Sequence, residues 1–496
     1  MGTLAKSGIN RRFFLRAAGL GAGAAALAAC GSQQPATGKV TPTPSTSGPP
    51  GSAPASSAAA PVPMDYAALR AKLAGSLVTP DDSGYASARK SYNPLYDGRR
   101  PGAVALCANA SDVAACVSAA VASGTPIAAR GGGHSYVGAS TPDGSLVVDL
   151  GKLSTVDVRS DGTVVLGPGA RLGDVYSALA GAGRALPAGS CPTVGVAGLA
   201  LGGGIGVLAR KYGLTCDRLA EATLITPDGV THTVNAGSEP DLFWALRGAG
   251  GGNLGIVTSF TFDTVPAPAT TVFTLTFPAG SVSSVLGAFQ HWIAAAPDEM
   301  WATCNISTAG SPSCRISGCY LGAPGAAGDL LNQLVSPAGA QPSSRFVEGR
   351  SYGSAMKFFA GSGAKEAFVA SSRVLSAPVS DPDPIVAACT RPGMNVIFDG
   401  LGGQVGRVAA TDTVFPHRSA LATVQIYQKT TSSAQASAAA QVTATRDQLT
   451  GVLGAGAYVN YLDTSTPKSD YYGGNLDRLR SIVGKYDPDG VFSTLG

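Results

Sequence analysis

The stretch Arg130–Ser140, RGGGHSYVGAS, decides how the rest of the chain is read. It follows AVALCANASDVAACVSAAVASGTPIAAR, whose pattern is a strand, a helix and a second strand ending at Arg130. Ser111 is expected to cap that helix, with Asp112 in its first turn. Three consecutive glycines after the strand give a backbone that a ligand can approach closely. The run closes on His134, one of only four histidines (His134, His232, His291, His417) among 496 residues.

Outward from this loop, SLVVDLGKLSTVDVR and TVVLGPGARLGDVYSALAGAG read as strands followed by a helix from about Leu172. LAEATLITPDGVTHTVN reads as two short strands about the turn Pro227–Gly229. Past VTSFTFDTVPAPAT the texture changes. TVFTLTFPAG and CRISGCYLGA alternate like strands, whereas SVLGAFQHWIAAAPDEM, SYGSAMKFFAG and SAQASAAAQVTATRDQLTGVL are helical. A boundary is expected near Thr264. The body of about 430 residues exceeds the usual size of a single core, so two domains are expected. No fixed-period repeat is visible in either half.

The N-terminus, NRRFFLRAAGLGAGAAALAACGS, pairs Arg11 with Arg12 ahead of an apolar run too short to span a bilayer. It reads as a twin-arginine export signal, and LAAC at its end resembles a lipobox, which makes Cys30 a lipid anchor. Export by this route carries proteins already folded, often with a cofactor loaded, and the body is expected outside the cytoplasm, held to the membrane by that anchor alone. Residues 31–63 have linker composition, rich in Pro, Ser, Thr and Ala with Lys39 as the one charge. The net charge of +4 is carried by Lys6, Arg11, Arg12 and Arg16, which leave with the signal. The mature chain is neutral, without the basic footprint of a nucleic-acid binder. Of nine cysteines, Cys304, Cys314 and Cys319 lie close enough in sequence to pair after export; folding in a reducing compartment weakens that case, and connectivity is not readable from spacing.

Three glycine-rich segments stand out: RGGGHSYVG, CPTVGVAGLALGGGIG and LRGAGGGNLGIV. Their backbone N–H groups suit a pyrophosphate. None has the phosphate-binding GxxxxGK[ST] pattern, because each Gly-Lys pair (at Lys39, Lys152 and Lys485) lacks a following Ser or Thr, and none gives a strand, GxGxxG and helix with an acid about 20 residues on. A dinucleotide held by several loops of a non-Rossmann domain fits better.

Taken in order, RGGGHSY, GSCPTVGVAGLALGGGIG, FWALRGAGGGNLGIVTSF, YVNYLD and NLDRLRSIVGKYDPDGVF resemble the FAD-linked oxidases of the berberine bridge enzyme-like group, within the vanillyl-alcohol oxidase superfamily. The resemblance runs from about Tyr92 to Phe492. It implies an α+β, two-domain fold: a PCMH-type FAD-binding domain at 64–263, a substrate-binding domain of antiparallel sheet covered by helices at 264–450, and a C-terminal segment, 451–496, returning to the first. In that family the histidine closing the glycine run bonds to the flavin 8α-methyl and the cysteine before Pro-Thr-Val-Gly to flavin C6, which by motif are His134 and Cys191. Imidazole and thiolate are nucleophiles suited to such bonds. The resemblance further implies that Arg130, Gly131, Gly132, Gly133 and Ser135 form the pyrophosphate loop, and that Thr193, Gly195, Gly198, Gly203, Asn253 and Val257 complete the FAD cradle. No metal site is assigned.

Oxidising an alcohol needs a hydride acceptor, which the flavin supplies, and a base for the hydroxyl proton. In the family the base is a tyrosine of a Tyr-x-Asn-Tyr motif, here Tyr458, Asn460 and Tyr461. The resemblance implies Tyr461 as base with Tyr458 as its hydrogen-bonding companion, and places Tyr136 in the active site. Lowering a phenol from about 10 to near 7 takes roughly 4 kcal/mol of phenolate stabilisation, so a cation is expected to face Tyr461, with Arg407, His417 and Arg418 as candidates. Val194 occupies the position at which the family sets access of O2; a small side chain there implies an oxidase releasing hydrogen peroxide. The sequence departs from the family at Leu199, a histidine in some members, and in its short C-terminus, VFSTLG. Substrates in the family are sugars, other alcohols and secondary metabolites. Two alternatives stay open: a serine hydrolase using GRSYG, Gly349–Gly353, with Asp399 and His417, and a tethered lipoprotein that binds small molecules without catalysis.

Overall fold

The computed structural model describes residues 63–308 and 312–492. The signal, Cys30 and nearly all of the linker lie outside the described residues. The first sheet has the order Ser76–Val78, Ala103–Leu106, Leu146–Asp149, Ile127–Arg130, with the last three strands parallel. The helix Ala110–Ser123 crosses from Ala103–Leu106 to Ile127–Arg130, and Leu146–Asp149 then pairs between those two strands. Its cap is Asn109, whose side chain accepts from the Asp112 amide at 2.9 Å, and not Ser111. Asp112 is drawn elsewhere: its carboxylate collects the amides of Ala74, Gly75 and Ala108. Val113, Cys116, Val117 and Ala120 recur at helical spacing and bury against Ala103, Ala105, Leu146 and Val148 on one side and Ile225 and Ile256 on the other.

Those last two belong to a second, antiparallel sheet of order Val156–Val158, Thr163–Leu166, Ile256–Asp263, Leu219–Ile225, Thr231–Asn235. A third sheet begins at Ala269 and has seven antiparallel strands, ordered Ser344–Ser351, Ala269–Phe277, Ser313–Tyr320, Met300–Ser307, Met394–Gly400, Ala422–Lys429, Phe368–Leu375. Strand periodicity gives this sheet two different faces. Phe273, Leu275, Ile306, Ile316, Val396, Phe398, Val424 and Ile426 pack beneath the helices Val282–Ala295, Pro324–Ala338, Asp383–Cys389 and Gln435–Leu453. The alternate residues, among them Thr303, Ser317, Asp399, Gln425 and Tyr427, share the opposite face with Trp301, which packs into the core built around the second sheet. The final helix, Leu476–Tyr486, buries Leu479, Ile482 and Val483 in that same core.

Candidate active site

The glycine run leaves the carboxyl end of the strand Ile127–Arg130, where open sheets with parallel strands place their ligands. Two of its glycines are explained by a single contact. A Cβ on Gly132 would stand 2.2 Å from the Gly195 nitrogen, and one on Gly195 would stand 2.3 Å from the Gly132 nitrogen. The two loops therefore touch backbone to backbone, and only glycine at both positions permits it. Gly195 caps the short helix Val196–Leu201, on which Gly198 is exposed with nothing within 4 Å of an added Cβ. Gly251 and Gly252 of the third loop are similarly open. Open space beside these glycines leaves the loop backbones accessible, which fits the pyrophosphate of a dinucleotide. The Arg130 side chain does not face it: Nε donates to Asp149 at 2.6 Å and the guanidinium is buried against the carbonyls of Ala88 and Lys90, so the side chain is not available to the cradle. Ser135 Oγ accepts from the Ala139 amide at 3.0 Å, a turn role.

His134 and Cys191, 57 positions apart, meet at one hydroxyl. Thr193 Oγ1 lies 3.0 Å from His134 Nε2 and 3.4 Å from Cys191 Sγ. The imidazole stacks on Tyr92 with ring centroids 3.7 Å apart. Burial, with Arg171 adding repulsion, pushes the His134 pKa down to about 4, so the ring is neutral at ordinary pH and keeps a lone pair. Cys191 lies near enough to influence the Tyr92 and Tyr136 phenols, which ties this end of the site to the tyrosines.

YVNY is a single tight turn, Val459–Tyr461 with Tyr458 leading into it, rather than a strand. The Tyr458 hydroxyl oxygen accepts from the Gly204 amide at 2.9 Å, the Ile205 amide at 3.4 Å and Asn460 Nδ2 at 2.9 Å. Asn460 also donates to the Leu199 carbonyl, and Gly202 makes room for it, since a Cβ there would sit 2.0 Å from Oδ1. Tyr461 stacks parallel to Tyr136 at 5.4 Å and edge-on to Tyr458 at 5.0 Å. Its hydroxyl has no hydrogen-bond partner among the described residues, while Tyr136 accepts from Gln425 of the third sheet. Burial, reinforced by Tyr136 and Asp399, holds the Tyr461 phenol well above its ordinary pKa. Asp399 accepts from Trp301 Nε1 at 2.8 Å, and burial pushes its pKa up to about 7.

Residues 101–235 match the FAD binding domain family and 457–494 the berberine and berberine-like family. The FAD-linked oxidoreductase YgaK of Bacillus subtilis (strain 168), uncharacterised, is 32% identical over 85% of this chain and 96% of its own. The chain belongs to the berberine bridge enzyme-like FAD-linked oxidoreductases. Among solved structures, Physcomitrella patens BBE-like 1 superposes with a TM-score of 0.83 at 30% identity, covering 87% of this chain and 98% of that one. The glucooligosaccharide oxidase of Acremonium strictum, whose FAD is 6-S-cysteinyl, 8α-N1-histidyl, gives 0.78 at 28% identity, covering 86% and 98%.

For this berberine bridge enzyme-like oxidoreductase, three sequence expectations need correction. Among the described residues no cation bears on Tyr461. Arg418 is fully buried in a two-pronged pair with Asp217, at 2.7 Å on each prong; Arg407 pairs with Asp298 at 2.6 Å; and His417 Nε2 bonds to the Ala457 carbonyl at 2.7 Å. Their charges are committed to other partners, and the group that does bear on Tyr461 is the acid Asp399. GRSYG is not a nucleophile elbow: Ser351 ends an edge strand of an antiparallel sheet, whereas that elbow needs a parallel one, and Asp399 and His417 are bonded elsewhere. The third is the Ser111 cap. The remaining cradle residues sit in loops and strand ends: Gly133 and Gly203 at positive φ, Val194 bonded through its amide to the Cys191 carbonyl, Asn253 closing its own loop onto the Ala249 carbonyl, and Val257 buried beside a bulge in its strand. Sequence reading missed Asp399 as part of the redox site, and Gln425 and Tyr92 altogether. Period-2 alternation could have placed Asp399 and Gln425 on one face of the third sheet.

Proposed function

We propose that this chain is an exported carbohydrate oxidase with FAD attached through His134 Nδ1 and Cys191, delivering electrons to dioxygen as hydrogen peroxide. The observation that carries the reading is that His134 and Cys191 share one hydroxyl, that Cys191 bears on Tyr136 of the Tyr136, Tyr458 and Tyr461 cluster, and that Asp399 bears on Tyr461. Bound FAD supplies a two-electron acceptor. Tyr461, with its hydroxyl unpartnered, takes the substrate proton. A phenol held well above 10 is protonated at rest, so its own proton must leave as the substrate's arrives, and the Asp399 carboxylate, which bears on Tyr461 without a direct hydrogen bond to it, receives that proton through a bridging water. Tyr458 is the orienting partner, fixed by three donors. The half-buried polar side chains Gln425, Thr303 and Ser317, on the sheet face that carries Asp399, suit a hydroxyl-rich substrate, and the oligosaccharide oxidase among the relatives supports a sugar. Val194 beside Cys191 supports O2 access, and the twin-arginine pattern with Cys30 supports export and a lipid tether.

Acid-precipitated protein is expected to retain yellow colour and ultraviolet-excited fluorescence, and a panel of oligosaccharides to release peroxide; a colourless pellet would sink the covalent assignment. The receiver role of Asp399 has a pH signature. Its carboxylate form is required, so kcat/KM should fall about tenfold per unit as pH drops below about 7. Asp399→Asn should remove that limb and lower the plateau. An unchanged limb in the variant would assign the ionisation to another group.

A further inference from the structure

We propose that Thr193 is the positioning residue for covalent attachment of FAD: its hydroxyl accepts from His134 Nε2–H, which leaves the lone pair on Nδ1, and donates to the Cys191 sulfur, which favours the thiolate. The inference rests on the covalent reading above. A threonine hydroxyl has one proton to donate and lone pairs to accept with, and a neutral imidazole has one donor and one acceptor nitrogen. Thr193 Oγ1 lies 3.0 Å from Nε2 and 3.4 Å from Sγ, and accepting from Nε2–H while donating to the sulfur serves both nucleophiles without conflict. The 3.7 Å stack on Tyr92 holds the ring in the orientation that keeps Nε2 on Thr193, whose backbone carbonyl also bears on the imidazole. The Leu172 amide bonds to the Val194 carbonyl and the Val194 amide to the Cys191 carbonyl, so the loop carrying Thr193 is itself anchored.

Each attachment exchanges a C–H of the ring system for a C–N or C–S bond. The electron pair of that C–H stays on the ring system, which is left two-electron reduced. The C–H proton and the Nε2 or thiol proton pass to the reduced ring or to water, and dioxygen then takes two electrons and two protons as hydrogen peroxide. In this sequence the Thr193 hydroxyl is the first stop for the Nε2 proton as Nδ1 becomes bonded.

The test compares wild type, Thr193→Val, Thr193→Ala and Thr193→Ser by proteolysis after acid denaturation, weighing FAD on the His134 and Cys191 peptides and assigning the histidyl nitrogen by NMR of the isolated flavinyl peptide. Wild type should carry FAD on both peptides, at Nδ1. Thr193→Val should bind FAD yet carry about tenfold less on the Cys191 peptide, the loss expected of one hydrogen bond to a charged group, with a mixture of Nδ1 and Nε2 linkage at His134. Thr193→Ser should restore the wild-type pattern, which a purely steric role of the methyl group would not allow. If the valine variant fails to fold, Thr193→Ala reads the same loss without added bulk. Full double attachment at Nδ1 in the hydroxyl-free variant, or failure of serine to rescue, would overturn the role of Thr193. Absence of covalent FAD in wild type would instead overturn the function proposed above.

Discussion

Tyr461→Phe should lower the rate at which substrate reduces the bound flavin by about 10³-fold, within the range for loss of a positioned acid-base group, while leaving the visible spectrum and FAD content unchanged. The substitution removes one oxygen and keeps the ring, so the 5.4 Å stack on Tyr136 and the edge contact with Tyr458 survive. No hydrogen bond within the protein is broken, because the Tyr461 hydroxyl makes none among the described residues. The effect therefore isolates proton removal from the substrate. Anaerobic stopped-flow reduction is the measurement, and a rate within threefold of wild type would remove Tyr461 from the reaction. The contrast is Tyr458→Phe, which strands the Gly204 amide, the Ile205 amide and Asn460 Nδ2 without their acceptor and should cost stability as well as rate.

Gly132→Ala should give protein that no longer holds FAD and unfolds more readily by about 3 kcal/mol, the upper end of what overpacking costs. The added methyl would stand 2.2 Å from the Gly195 nitrogen and 2.8 Å from its Cα, and both are backbone atoms that no rotamer change can clear. The two loops must separate, and with them the surfaces that carry His134 and Cys191. Gly198→Ala is the matched control: it lies within a helix and meets nothing within 4 Å. Alanine there should raise thermal stability by a few tenths to about 1 kcal/mol while weakening FAD retention, because the methyl projects into the cradle. Flavin-to-protein absorbance ratios and melting curves distinguish the two. Equal flavin content in Gly132→Ala and wild type would show that the loops do not depend on this contact.

Much of this was legible in the sequence because it is local. A strand followed by three glycines and a histidine, Cys-Pro-Thr-Val-Gly ahead of a short helix, and the alternation of TVFTLTF and CRISGCY depend on neighbours a few positions away, and each forms where the pattern put it. Even so, the cap of the helix Ala110–Ser123 fell to Asn109 because the Asp112 carboxylate draws three amides around it, Ala74 and Gly75 from nearly 40 positions upstream.

The cations near Tyr461 were misplaced for a related reason. Arg418 finds Asp217 at a separation of 201 residues and Arg407 finds Asp298, and no spacing rule relates such pairs. A buried guanidinium must be paired wherever the fold brings an acid to it.

By itself, then, the sequence determined the nucleophiles His134 and Cys191, the glycine loops, the tyrosine turn and the family to which they belong, because backbone conformation and residue chemistry are set within a few residues. Only the tertiary structure decided that Gly132 meets Gly195, that Thr193 stands between imidazole and thiol, and that Asp399, on the polar face of a sheet from the other half of the chain, comes near enough to Tyr461 to help raise its pKa. Those are distances and burial between segments far apart in sequence, and packing alone sets them.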